Sequence, residues 1–230
     1  MKLEKIKRYY DSYGEGYETE RNNTYYYDFI NRIEAQVVLK HSKNGRCLEV
    51  GCGTGIIMDL VKDHFDSHIG VDLSEGMIAV AKSKGHEVLN ANVTNLPFEN
   101  NQFDFVYSFK VLPHVYDIQR GLEEIKRVLA DDGLAVLEFY NKSSFKGLVN
   151  SILNPNKQVF VRHEAVSEIL MEVEEQFHII ETVGARIITP AAFFLKIPIL
   201  NVVMRYMEVL LSKTFLKRFA GYYIVVLRAK

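Results

Sequence analysis

The sequence predicts an α/β fold: a Rossmann-like, doubly wound sheet of seven mostly parallel strands whose last strand runs antiparallel. Three observations carry this. Short apolar runs alternate with helix-period stretches of about ten residues across 46–141. The runs are apolar almost throughout rather than alternating, the mark of strands covered on both faces. A glycine-rich turn, Gly51-Cys52-Gly53-Thr54-Gly55, directly follows the first of them.

The elements follow in order. Tyr9, Tyr10, Tyr13 and Tyr17, separated by polar residues, suggest an amphipathic, partly exposed cap. Tyr25, Tyr26 and Tyr27 start the next helix, which runs through 31–40. RCLEV (46–50) is the first strand, and 55–64 is helical through Ile57, Leu60 and Val61. HIGVDLS (68–74) is the second strand; Ser74 is a suitable N-cap for a helix over 77–84. EVLNANV (87–93) and FDFVYSF (103–109) are the third and fourth strands, and 118–129 is a helix. Asp131-Asp132-Gly133 reads as a turn before the strand LAVLEFYN (134–141). Beyond Asn141 the rhythm loosens: helix over 164–177, extended chain over 178–188, helix over 193–215. The final strand, YYIVVLR (222–228), is expected to return hairpin-like to the sheet edge after Gly221. The chain thus reads as one domain, 1–230, with a cap (1–40), a core (41–141) and a C-terminal part (142–230).

Composition narrows the function classes. At 48% hydrophobic, 25% charged and a net charge of -1, the chain is an ordinary globular protein. Charge is uneven: 183–230 holds eight Lys/Arg and one acid, Glu208, leaving 20 basic and 28 acidic residues in the rest. No basic stripe with interleaved aromatics stands out, which argues against nucleic acid. Cys47 and Cys52 fit no zinc pattern, so no metal is expected; free thiols point to a reducing cytoplasm. The N-terminus shows no signal-peptide pattern. The apolar region 190–211 is broken by Lys196, Pro198, Asn201, Arg205 and Glu208, unlike a membrane span.

The glycine turn carries the chemistry. In open parallel sheets, ligands bind beyond the carboxyl ends of the strands where strand order reverses. Glycines there permit φ > 0 and a close backbone approach to the ligand. The turn admits an adenosine-bearing ligand of several kinds, and spacing separates them. A dinucleotide site needs G-x-G-x-x-G, yet three residues after Gly53 stands Ile56; a P-loop needs a Lys that is absent. Asp72, at the end of the second strand, is placed to accept both ribose hydroxyls. Glu49, two residues before Gly51, would repel a phosphate and tolerate an ammonium or sulfonium group. Together these favour S-adenosylmethionine over NAD.

Glu49 to Gly55 with Asp72-Leu73-Ser74, NVTNLPFENNQFDFVYS (92–108) and EEIKRVLADDGLAVLEF (123–139) resemble the class I S-adenosylmethionine-dependent methyltransferases. The nearest subgroup is the small-molecule one that includes ubiquinone- and menaquinone-biosynthesis-like enzymes. The resemblance is close over 2–141 and loose beyond. It implies methyl transfer to O, N or C of a small acceptor, and a C-terminal lid would suggest an apolar or aromatic one. It also implies cofactor contacts: backbone of Gly51, Cys52, Gly53 and Gly55 along the methionine part, Glu49 beneath its amino end, and Asp72 on the ribose. Leu73 and Met77 would lie against the adenine and Val93 N–H at its ring, with Ser108 and Phe109 near the methyl group. Asn92 stands where the family usually has an acid, so its uncharged amide costs about 1 kcal/mol of affinity. Tyr13 and Tyr17, and Tyr9 more weakly, would close over the cofactor. The alternatives are a non-catalytic module that keeps the cofactor site, and an NAD-dependent oxidoreductase.

Methyl transfer from an activated sulfonium mainly needs alignment and exclusion of water. His114 is the candidate base, against a role tying down its loop. Lys110 reads as a solvated lysine, Tyr140 as packing, and His163 and His178 as structural or surface residues. Asn201, Arg205, Glu208 and Ser212 form one polar stripe on an otherwise apolar helix. Packing on the sheet is the favoured reading for it, then a lid over an apolar substrate. Shallow membrane attachment is disfavoured because basic residues are few.

Overall fold

The computed structural model describes residues 2–12, 16–18, 25–144, 160–187, 198–212 and 214–230. Seven strands form one sheet in the order β3-β2-β1-β4-β5-β7-β6. They are β1 (Arg46–Val50), β2 (Ser67–Asp72), β3 (Glu87–Asn90), β4 (Phe103–Ser108), β5 (Leu129–Tyr140), β6 (Phe177–Ala185) and β7 (Tyr222–Ala229). The helices are α1 (Lys2–Asp11), α2 (Tyr25–His41), α3 (Ile56–Val61), α4 (Glu75–Ser83), α5 (Ile118–Val128), α6 (Val166–Glu174) and α7 (Pro198–Leu211). β1 pairs in parallel with both β2 and β4, so strand order reverses between β1 and β4.

The sheet is covered on both faces, as the apolar strands require. Ile118, Leu122, Ile125 and Val128 of α5 pack with Ile169 and Val173 of α6 in one cluster; α2 and α3 supply Val37, Val38, Ile57 and Val61 to another. Leu48 and Val106 are fully buried at the centre. Two caps hold helix starts: Ser74 Oγ accepts from Met77 N–H in α4, and Asp117 Oδ1 from Arg120 N–H in α5. Glu124 of α5, buried, accepts from Leu96 N–H and pairs with Arg127, which also donates to the carbonyls of Leu96 and Phe98. That network pins the loop before β4 to α5.

Two expectations are corrected. β7 does not lie at the edge: it runs antiparallel between β5 and β6. Its residues from Tyr222 to Leu227 are all buried, whereas β6 is half open to water and forms the edge. Asp131-Asp132-Gly133 is not a turn before β5 but an irregular stretch within it. Phe103 faces Leu129 while Phe105 faces Leu134, so the extra residues bulge out and expose the two aspartates.

Candidate functional site

The carboxyl ends of β1, β2 and β4 open on a cavity of about 330 Å³, with a smaller one of about 50 Å³ beside it. Gly51, Gly53, Tyr17, Phe109 and Lys110 stand on the walls of both. The turn between them has φ +77° at Gly51, +54° at Gly53 and +80° at Gly55, so all three glycines adopt the left-handed region. A Cβ on Gly51 would lie 2.0 Å from Val111 Cγ2, whereas one on Gly53 would meet nothing within 4 Å. Gly51 is therefore a packing requirement, and Gly53 leaves open space above the turn.

Each cavity has a carboxylate beside the turn; Asp117, the cap of α5, also lines the large one. Asp72, on the large one, accepts from Gly53 N–H (Oδ2, 2.9 Å) and Ser74 N–H (Oδ1, 2.8 Å), which locks it to the glycine turn. Burial raises its pKa, and these backbone bonds oppose the rise. Glu49 lines the small cavity. It pairs in register with Tyr107 on β4, whose hydroxyl donates to Glu49 Oε2 (2.9 Å). The Tyr107 oxygen in turn accepts from His68 Nε2–H of β2 (2.9 Å). Burial pushes the Glu49 carboxyl well above its ordinary range and holds His68 neutral, with a pKa lowered to about 4.

Leu73, Met77, Asn92 and Val93 also line the large cavity. Asn92 Oδ1 already accepts from Thr94 N–H (3.1 Å) and keeps a second lone pair. Cys52 lines the small cavity, and its side chain packs with Met58, Ile78, Ala81 and Val88. Gly55 and Ser108 stand on neither wall. A Cβ on Gly55 would meet the His86 ring at 2.6 Å, and Ser108 Oγ donates to Val50 O (2.8 Å), joining β4 to β1. Tyr13 lies outside the described residues.

His114 is on the large cavity. Its Nδ1–H donates to Phe160 O (2.8 Å), and its Nε2 lies 3.4 Å from the Tyr10 hydroxyl. Tyr140 lines the same cavity, and His163 packs 5.7 Å from its ring; His178 is exposed on β6. Lys110 is not solvated as expected. Its φ is +62° and its Nζ reaches Glu34 Oε2 (2.6 Å), a fully buried carboxylate of α2, and Asn31 (3.2 Å).

The sequence reading missed one wall. Leu3, Ile6 and Tyr10 of α1 line the large cavity. Their spacing of three and four places them on one helix face, a periodicity already present in the sequence. α1 is clasped to the start of α4: Asp11 Oδ1 accepts from Ser74 Oγ–H (2.8 Å) and Gly76 N–H (3.2 Å), and Lys7 pairs with Glu75 (2.8 Å).

The residues present fit S-adenosylmethionine. The buried Thr54 hydroxyl on the small cavity's wall has no partner among the described residues, and Glu49 beside it suits a cationic end. The larger cavity offers Asp72 for hydroxyls and Leu73, Met77 and Phe109 for a flat apolar group.

Comparison with known proteins agrees. Residues 48–137 match the family described as a methyltransferase domain. An uncharacterised protein of Methanocaldococcus jannaschii is 33% identical over 153 residues, 66% of this chain and 58% of that protein. Demethylmenaquinone methyltransferase of Staphylococcus saprophyticus is 37% identical over 99 residues, 40% of this chain and 42% of that enzyme. The first two curated relatives are matched over 58% and 64% of their own length. In fold, the chain is similar to a crystal structure from Thermotoga maritima described as an S-adenosylmethionine-dependent methyltransferase: TM-score 0.73, 20% identity, the whole of both chains covered.

Proposed function

We propose that this chain transfers a methyl group from S-adenosylmethionine to a small acceptor, since residues 48–137 match a methyltransferase domain and a relative in Mycobacterium tuberculosis is described as a probable S-adenosylmethionine-dependent methyltransferase. One observation carries the reading: a glycine turn between two cavities, with Glu49 in one and Asp72 in the other. When bound, the cofactor supplies a methyl group already activated on sulfur. The protein's own work is then alignment and the exclusion of water. Asp72 binds hydroxyls, Glu49 binds the cationic amino-acid end, and α1 roofs the large cavity with Leu3, Ile6 and Tyr10. Tyr17 spans the mouth shared by the two cavities.

The acceptor reading is a small molecule with an apolar or aromatic body, attacked through O, N or C. His114 Nε2 is the group able to take a proton from an acceptor O–H or N–H. Its bond to Phe160 O also supports the role of tying down the loop. Calorimetry with S-adenosylmethionine, S-adenosylhomocysteine and NAD tests the cofactor, and homocysteine release across an acceptor panel tests the transfer. Binding of NAD alone would overturn the reading. Cofactor binding without turnover would favour a non-catalytic module. For His114→Ala, a lost chemical step at unchanged cofactor affinity identifies the base; full activity returns His114 to the loop.

A further inference from the structure

α7 presents its faces in the reverse of the usual order. Its polar stripe turns inward: Glu208 is fully buried and accepts from Ile187 N–H, Ser212 is buried, and Arg205 lies 4.8 Å over the Phe29 ring. Helix geometry of about 100° per residue puts Val202, Val203, Tyr206, Met207, Val209 and Leu210 on one opposite arc of about 160°. All six are exposed, Val202 at 70% and Tyr206 at 66%. Phe215 (71%) and Phe219 extend the apolar surface into the 3-10 turn Phe215–Phe219 that follows. α7 packs as expected beside the last two strands, through Met204 against the cluster that holds Ala185 of β6 and Tyr222 of β7, but with its polar side inward and its apolar arc left outside. So much contiguous apolar surface marks an interaction face.

The charge around it selects the occupant. From 186 to 218 the sequence carries six Lys/Arg and one acid, and that acid is the buried Glu208. Arg218 is exposed, its guanidinium 5.9 Å from the Phe219 ring centre. Arg205 is turned inward beside Asp28, so among the described residues Lys217 and Arg218 carry the positive charge of the turn after the arc, and a second copy across a two-fold axis would bring the same positive charge to meet it. An anionic lipid surface offers acyl chains to the apolar arc, phosphates to the cations, and a headgroup layer suited to aromatic rings. We propose that α7 and the turn after it lie in the plane of an anionic lipid surface. The paucity of basic residues is no obstacle, since the exposed apolar arc supplies the main contact. On the inner side, Met204 of α7 and Tyr140 of the large cavity's wall pack against the same cluster of Phe29, Ile30 and Ile33. One packed cluster thus connects the inner side of α7 to the wall of the large cavity.

Vesicle co-sedimentation of the full chain tests this, with phosphatidylcholine alone and phosphatidylcholine mixed with phosphatidylglycerol. The expected result is pelleting with the mixed vesicles, reduced by high salt, and about tenfold or more weaker partitioning for V202S/Y206S/L210S. These side chains are exposed, so the variant should keep the parent's circular dichroism and melting temperature. R218E should weaken binding to mixed vesicles while leaving the apolar arc intact. No pelleting with either vesicle would overturn the proposal, as would equal pelleting of parent and triple variant. A dimer by light scattering that the triple variant dissociates, without vesicle binding, would assign the face to a second copy and equally overturn it.

Discussion

Glu49→Gln is expected to weaken cofactor binding at alkaline pH while leaving the empty protein as stable as the parent or more so. The sign follows from the surroundings of Glu49. Burial raises its pKa most; the Tyr107 hydroxyl lowers it; Glu34 of α2 and Asp72 of β2 raise it; Lys110 after β4 lowers it. His68, behind Tyr107, is neutral and adds no charge. In the unfolded chain the group titrates near about 4.3. A raised folded value means that its contribution to stability is complete below that pH and is lost as pH climbs through the folded value. Above it, the buried anion destabilises the empty protein, and Gln removes that penalty while still accepting from Tyr107.

A cationic ligand end beside Glu49 acts in the opposite direction, because it favours the ionised form. Cofactor affinity in the parent should therefore rise with pH across the same window, with proton release on binding below the folded pKa. A charge-assisted hydrogen bond contributes about 1.5–3 kcal/mol, so the variant's Kd should rise about 10–150-fold at the alkaline end. The gap should narrow toward acid pH, where Glu49 is protonated in the parent too. Calorimetry in two buffers of different ionisation enthalpy, run from the unfolded-chain value of about 4.3 upward, reads both affinity and protons released. Equal affinities at the alkaline end, or an unchanged pH slope in the variant, would refute the reasoning.

Three further outcomes are expected. Gly51→Ala adds a Cβ 2.0 Å from Val111 at φ +77° and should cost about 2–5 kcal/mol, read by thermal melting; a parental melting point would refute it. Asp11→Ala removes the acceptor for Ser74 and Gly76, so α1 should be cut faster in limited proteolysis while the global melt hardly moves; unchanged cleavage would show that the clasp holds nothing. Arg127→Ala leaves Glu124 with Arg120 and the Leu96 N–H as partners but strips the carbonyls of Leu96 and Phe98 of their donor, and should cost about 1–3 kcal/mol in urea unfolding; an unchanged unfolding midpoint would contradict the network.

The core of the fold was legible because it is written locally. Apolar runs, helix periods and the Ser74 cap need only neighbours in sequence, and they give the strands and helices from Arg46 onward. The glycine turn was legible too, since left-handed φ leaves a direct trace in residue type. Gly51 and Gly53 look alike in sequence, yet one is filled by Val111 and the other faces open space.

Other features depend on what arrives from far along the chain. Lys110 looks like any charged residue after a strand; only Glu34, brought over by α2, makes it buried and paired. Tyr107 looks like an apolar strand residue until register sets it opposite Glu49. β7 looked like an edge strand because its sequence does not say that β6 lies outside it.

By itself, then, the sequence determined the alternating α/β order, the glycine turn with its left-handed backbone, the two carboxylates beside it and the cofactor class, because backbone conformation and charge are carried by the residues themselves. Only the tertiary structure decided that α1 roofs the cavity, that Tyr107 and His68 stand behind Glu49, and that α7 turns its polar side in and its apolar side out. A periodic stripe tells that a helix has two faces; which one meets the protein is settled by what it packs against.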